Sequence, residues 1–156
     1  MRKKIFSILL LVAVLTVSVN PAVRGKKAMY VGGTIQTMQQ NSKGEIIFDE
    51  NELIFKTEKG AQQIKIPYKG VESLEYGQKA GRRVGVALAV SPLFLLSKKK
   101  KHYVTIGFQD LENKKQGAVF EIAKGIVSDV ITNLEARTGK KFEYESEEAQ
   151  KHAQKK

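Results

Sequence analysis

The chain has 156 residues, 42% of them hydrophobic, with 27 Lys+Arg against 16 Asp+Glu and no cysteine. That length holds one domain, and the apolar fraction excludes global disorder. The absence of thiols excludes disulfide support and cysteine lipidation, so stability comes from packing alone.

The formal charge of +11 is unevenly spread. Arg2, Lys3, Lys4 and Arg24 lie in the leader. Lys79, Arg82, Arg83, Lys98, Lys99, Lys100 and Lys101 lie in a stretch with no acid between Glu75 and Asp110. Elsewhere beyond the leader, acids and bases balance. A local surplus of this kind points to an addressed partner more than to general solubility.

Taken in order, Met1–Lys4 followed by the largely apolar Ile5–Val19 reads as a secretory signal within residues 1–25, with a charged start and a short apolar run. The run is shorter than the roughly 20 residues of a membrane span. Ala22 and Gly25 make no clean cleavage site, so removal of the leader and retention as an anchor both stay open. The expected destination is the periplasm or the outside of the cell.

A domain over residues 28–144 follows. Ala28–Met38 opens it, with Tyr30–Ile35 a strand weakened by Gly32-Gly33. Glu45–Phe48 and Glu52–Lys56 flank Asp49-Glu50-Asn51 with hairpin spacing. Gln63–Tyr68 alternates apolar and polar residues. Val71–Tyr76 is expected to turn Val71, Ser73 and Glu75 to one side and Glu72, Leu74 and Tyr76 to the other. His102–Gln109 alternates again, and Ala118–Ile122 reads as the last core strand. The period then changes. Ala123, Ile126, Val127, Val130, Ile131 and Leu134 form one helical stripe, with Arg137 in the last turn and Gly139 as the C-terminal cap. Phe142 and Tyr144 are expected to fold back on the sheet, and residues 145–156 to form a polar tail, either a frayed helix or a disordered one.

The expected fold is mainly β with one C-terminal α-helix: a strongly bent antiparallel sheet or barrel of six to seven strands, capped by the amphipathic helix. From Tyr30 to Gly139 the chain resembles the pleckstrin-homology-like superfold, including its GRAM-like and small bacterial members. The resemblance rests on strand count, on Ile66-Pro67-Tyr68…Val71-Glu72-Ser73-Leu74, and on the helix after Val119-Phe120-Glu121-Ile122. It implies binding of lipid head groups or peptides, or scaffolding. The basic head-group motif of the eukaryotic members has no counterpart in the first hairpin.

Residues 79–101 are the candidate site. Val84–Leu96 is too short to span a bilayer and is interrupted by Pro92. One reading buries it as two strands or as a helix across the sheet, since a short apolar run is normally core. The other exposes it, with Leu93, Phe94, Leu95 and Leu96 making apolar contact and the seven cations pairing with an anionic surface. The occupant is then an anionic lipid surface, or an envelope protein in an assembly or self-association role; oligomeric state is not legible. Nucleic acid fits poorly, because the strip is interleaved with aliphatic residues where stacking aromatics are expected.

No catalytic, metal or cofactor signature stands out. His102 reads as a strand-edge residue and His152 lies in the tail. Asp49-Glu50-Asn51-Glu52 lacks calcium-loop spacing, and neither Gly81–Gly85 nor Gly139-Lys140-Lys141 completes a phosphate-binding motif. The expected function is that of a non-enzymatic exported binding module.

Overall fold

In the computed structural model, residues 25–78 and 101–154 are described. The leader and the segment 79–100 lie outside them, and with it six of the seven candidate cations and all four candidate apolar contacts.

Among the described residues, eight strands form one sheet: β1 (Lys26–Gly33), β2 (Ser42–Phe48), β3 (Glu52–Thr57), β4 (Gln63–Pro67), β5 (Val71–Gly77), β6 (His102–Gln109), β7 (Lys115–Ile122) and β8 (Phe142–Tyr144). Their spatial order is β4-β3-β2-β1-β7-β6-β5-β8. Every neighbouring pair is antiparallel except β5 and β8. Helix α1 (Val127–Thr138) follows β7 after a 3-10 turn at Lys124–Ile126, and helix α2 (Glu147–Gln154) follows β8.

The fold is therefore mainly β with a C-terminal helix, as expected, but with eight strands where six to seven were anticipated. The sheet is also open, not a barrel: β4 and β8 are its two edges. The physical reason lies in the tail. Phe142–Tyr144 adds in parallel to the outer side of β5, at Leu74↔Phe142 and Tyr76↔Tyr144. It thereby occupies the edge that a closing β4–β5 ladder would need. Pro67, at the end of β4, lacks the N–H such a ladder would use.

Strand alternation sends one set of side chains to an inner face. There Tyr30, Phe55 and Phe120 meet at ring-centroid distances of 5.2–6.3 Å, among Ile46, Leu53, Ile66, Leu74, Val104 and Ile106. Helix α1 lays Val127, Val130, Ile131 and Leu134 on this face. Gly139, at φ 69°, ends α1 in the left-handed region, its N–H bonded to the Glu135 carbonyl. The far end of α1 is pinned to the β2–β3 turn. Arg137 Nη1 donates to the Asp49 carbonyl at 2.7 Å and its guanidinium lies 5.6 Å from the centre of the Tyr68 ring.

Two expectations change in detail. Val71 does not stand opposite Leu74 and Tyr76. A register shift between Val71 and Ser73, a bulge, turns it inward with them, and all three join the inner cluster. The tail carries an ordered helix, α2, which buries Ala149 and Ala153 in the same cluster. Small side chains let an otherwise polar helix dock closely.

Candidate functional site

The segment proposed from sequence leaves the sheet at Gln78 and returns at Lys101. The strands that carry it are direct neighbours, with Gly77 paired to Tyr103 and Tyr76 to Val104. Paired residues in an antiparallel ladder stand about 5 Å apart, so the two ends of the excursion depart side by side. Lys79 and Lys101 are each two residues along the chain from this pair.

Lys101 is the one candidate cation among the described residues. Its Nζ lies 2.8 Å from Glu121 Oε2, and the two side chains retain only about a quarter of their exposure (26% and 23%). Tyr103 pairs with Glu121 across β6–β7, which puts the acid on the outer face near the root of the excursion. Lys101 therefore spends part of its charge within the fold. The positions of Lys79, Arg82, Arg83, Lys98, Lys99 and Lys100, and of Leu93–Leu96, lie outside the described residues.

The outer face at this end has its own buried groups. Val31, Tyr103 and Val119 form a second apolar cluster with Met29 against it, and Glu75 and Thr105 are also buried. Burial pushes the Tyr103 phenol up to about 12, with Glu121 adding to the shift. The Gln78 backbone N–H donates to Glu145 Oε2 at 2.8 Å. The root of the excursion is thus held by the chain just ahead of α2.

On the inner face of the same corner lies a cluster that sequence reading did not assemble. His102, expected at a strand edge, is buried with 8% exposure. Its Nδ1 and the Tyr76 hydroxyl share a 2.5 Å hydrogen bond, with the two rings nearly parallel at 11°. Tyr144 meets Tyr76 edge-on at 6.2 Å, and His152 meets His102 edge-on at 6.5 Å. Burial, helped by His152 and Lys124, holds the His102 imidazole below its ordinary value. The alternation of His102 with Val104 and Ile106 signalled an inward ring, but nothing local signalled His152, fifty residues on.

As chemistry, the corner offers a neutral, hydrogen-bonded imidazole. Among the described residues, no group of three or more His, Cys, Asp or Glu is placed to hold a metal ion. An open hollow of about 480 Å³ lies elsewhere, between β4 and the β6–β7 turn, lined by Ile35, Ile64, Phe108, Lys65, Asp110 and Gln116 among others. Its polar groups serve each other: Asp110 Oδ2 accepts from Gln116 Nε2, and Gln116 Oε1 accepts from Thr34 Oγ1. No helix among the described residues is long and apolar enough to cross a membrane.

No family model matches the chain, and no curated protein is significantly similar to it.

Proposed function

We propose that this chain is an exported, non-enzymatic, PH-like binding module that meets an anionic membrane surface through residues 79–101. The observation that carries this reading is the paired stem. Neighbouring antiparallel strands need only two to five residues to connect them, yet β5 and β6 are joined by residues 78–101. The extra length holds seven cations and an apolar run.

The PH-like assignment is supported by the antiparallel order β4-β3-β2-β1-β7-β6-β5 and by a C-terminal helix on the inner face. Export is supported by the Met1–Val19 pattern.

Electrostatics and burial would divide the work. Each lysine near an anionic leaflet contributes about 1 kcal/mol, roughly fivefold in affinity. Each buried leucine or phenylalanine adds about 1.5–3 kcal/mol. Co-sedimentation with anionic vesicles at low salt tests the reading. The wild type is expected to pellet with the vesicles, and Lys98–Lys101→Gln to bind at least about tenfold more weakly. Equal binding by the two proteins, or none by either, rejects the membrane; recovery of one discrete envelope protein instead, independent of lipid, would favour an assembly role.

A further inference from the structure

The corner at Tyr76 and His102 also joins the tail to the sheet, and its chemistry depends on proton uptake. We propose that α2 is an acid-released latch: protonation of His102, which His152 of α2 faces, frees Glu147–Gln154 from the inner face.

The geometry has three parts. Helix α2 is a short helix that docks through two alanines, Ala149 and Ala153, so little apolar area holds it. Its one aromatic contact to the sheet among the described residues is His152 on His102, at 6.5 Å. His102, in turn, is buried against Tyr76. A charge placed on His102 is therefore placed beside the His152 ring, on the side of the sheet where water is least available.

The surrounding groups do little to offset a positive His102 ring. From β5, Tyr76 remains a neutral phenol, pushed up to about 12 by burial and then by Tyr144. From β8, Tyr144 is likewise raised, by burial first. The residue opposite His102 on β7 is Ile122. From the 3-10 turn, Lys124 brings a further positive charge. On α2 itself, Glu148 Oε1 stands 3.8 Å from His152 Nε2 with its side chain 61% exposed, a screened acid turned to His152 and not to His102. Glu145 is turned to the Gln78 N–H.

The sign follows from where protons bind. With α2 docked, His102 resists protonation; with α2 released, it regains water and takes a proton near its ordinary value of 6.5. A group depressed in the docked state favours docking above that value and loses the effect as pH falls towards the docked value. For one linked proton, the released fraction rises about tenfold per pH unit across this window.

Hydrogen exchange on the full chain, corrected for the pH dependence of intrinsic exchange, decides the matter. Between about pH 7.5 and 5, protection across Glu147–Gln154 is expected to fall roughly tenfold per unit below 6.5, while β2 and β3 keep theirs. His102→Asn keeps an acceptor for Tyr76 without the charge and is expected to abolish the fall. His152→Gln, a change at a half-exposed position, removes a group that holds the His102 value down and is expected to make the fall smaller. A flat wild-type profile overturns the latch, as does loss of protection in step across the whole sheet. So does a fall of undiminished size in His152→Gln, which decides alone if His102→Asn does not fold.

Discussion

Two connections in the same three-stranded meander behave in opposite ways. β6 passes to β7 through five residues, 110–114. There Asp110 Oδ1 accepts from the N–H groups of Glu112 and Lys114, both at 2.9 Å, and Asn113 takes φ 59° to close the turn. That turn spends its polar groups on itself and displays a single leucine, Leu111, at 92% exposure. β5 passes to β6 through twenty-four residues, 78–101, rich in cations that have no acid within the segment. Both connections bridge strands of the same ladder type, so the ladder cannot be what demands the longer one. The difference separates what the sheet needs from what the molecule carries in addition.

The strongest way to break this comparison is to make the two connections alike. Replacing residues 79–100 by an Asn-Gly turn is expected to keep the β signature in far-UV circular dichroism and to reduce binding of anionic vesicles to background. Loss of the sheet would instead make the excursion part of the fold.

A core substitution beneath both connections should do the reverse. Phe120→Ala removes the ring that meets Tyr30 and Phe55 and should cost about 3–5 kcal/mol in urea unfolding. It leaves the cations of the excursion in place.

The short turn is sharpened by pH. Hydrogen bonds from the Gln116 side chain and from the backbone N–H groups of Lys114 and Glu112 hold the Asp110 carboxyl below its ordinary 3.8. Its contribution is present above that value and is lost as pH falls through the folded one. Asp110→Ala should therefore lower thermal stability at neutral pH, and the gap from wild type should narrow under acid below about pH 3.8.

The smallest effect is expected at the root. Lys101 already faces Glu121, so Lys101→Gln should weaken vesicle binding less than Lys98→Gln does. Its effect on stability should stay within about 1 kcal/mol, the usual worth of a partly exposed ion pair. Equal losses from the two lysines would place Lys101 among the contacting cations after all.

Much of the architecture was legible because the signals are local. His102–Gln109 alternates with period two and forms β6 over those same residues. Of the stripe read from Ala123 to Leu134, Val127, Val130, Ile131 and Leu134 form the buried side of α1, whereas Ala123 and Ile126 precede it and Ala123 is exposed; Gly139 caps the helix as its position suggested. The Val71 side chain was misassigned because a bulge shifts the strand by one residue without marking the sequence. The candidate site was legible as a charge pattern, and Lys101 alone of its residues acquires a partner in the described structure. The Tyr76–His102–His152 corner was invisible, since its members come from three elements far apart in the chain.

Taken alone, the order of residues determined the first seven strands and helix α1, and where the positive charge is concentrated. These follow from side-chain periodicity and composition, which act over a few residues. Only the tertiary structure decided that β8 occupies the free edge of β5 and leaves the sheet open, that Glu121 faces Lys101, and that two histidines fifty residues apart share a corner. Those pairings depend on which surfaces meet when distant segments pack, and no local pattern records the partner.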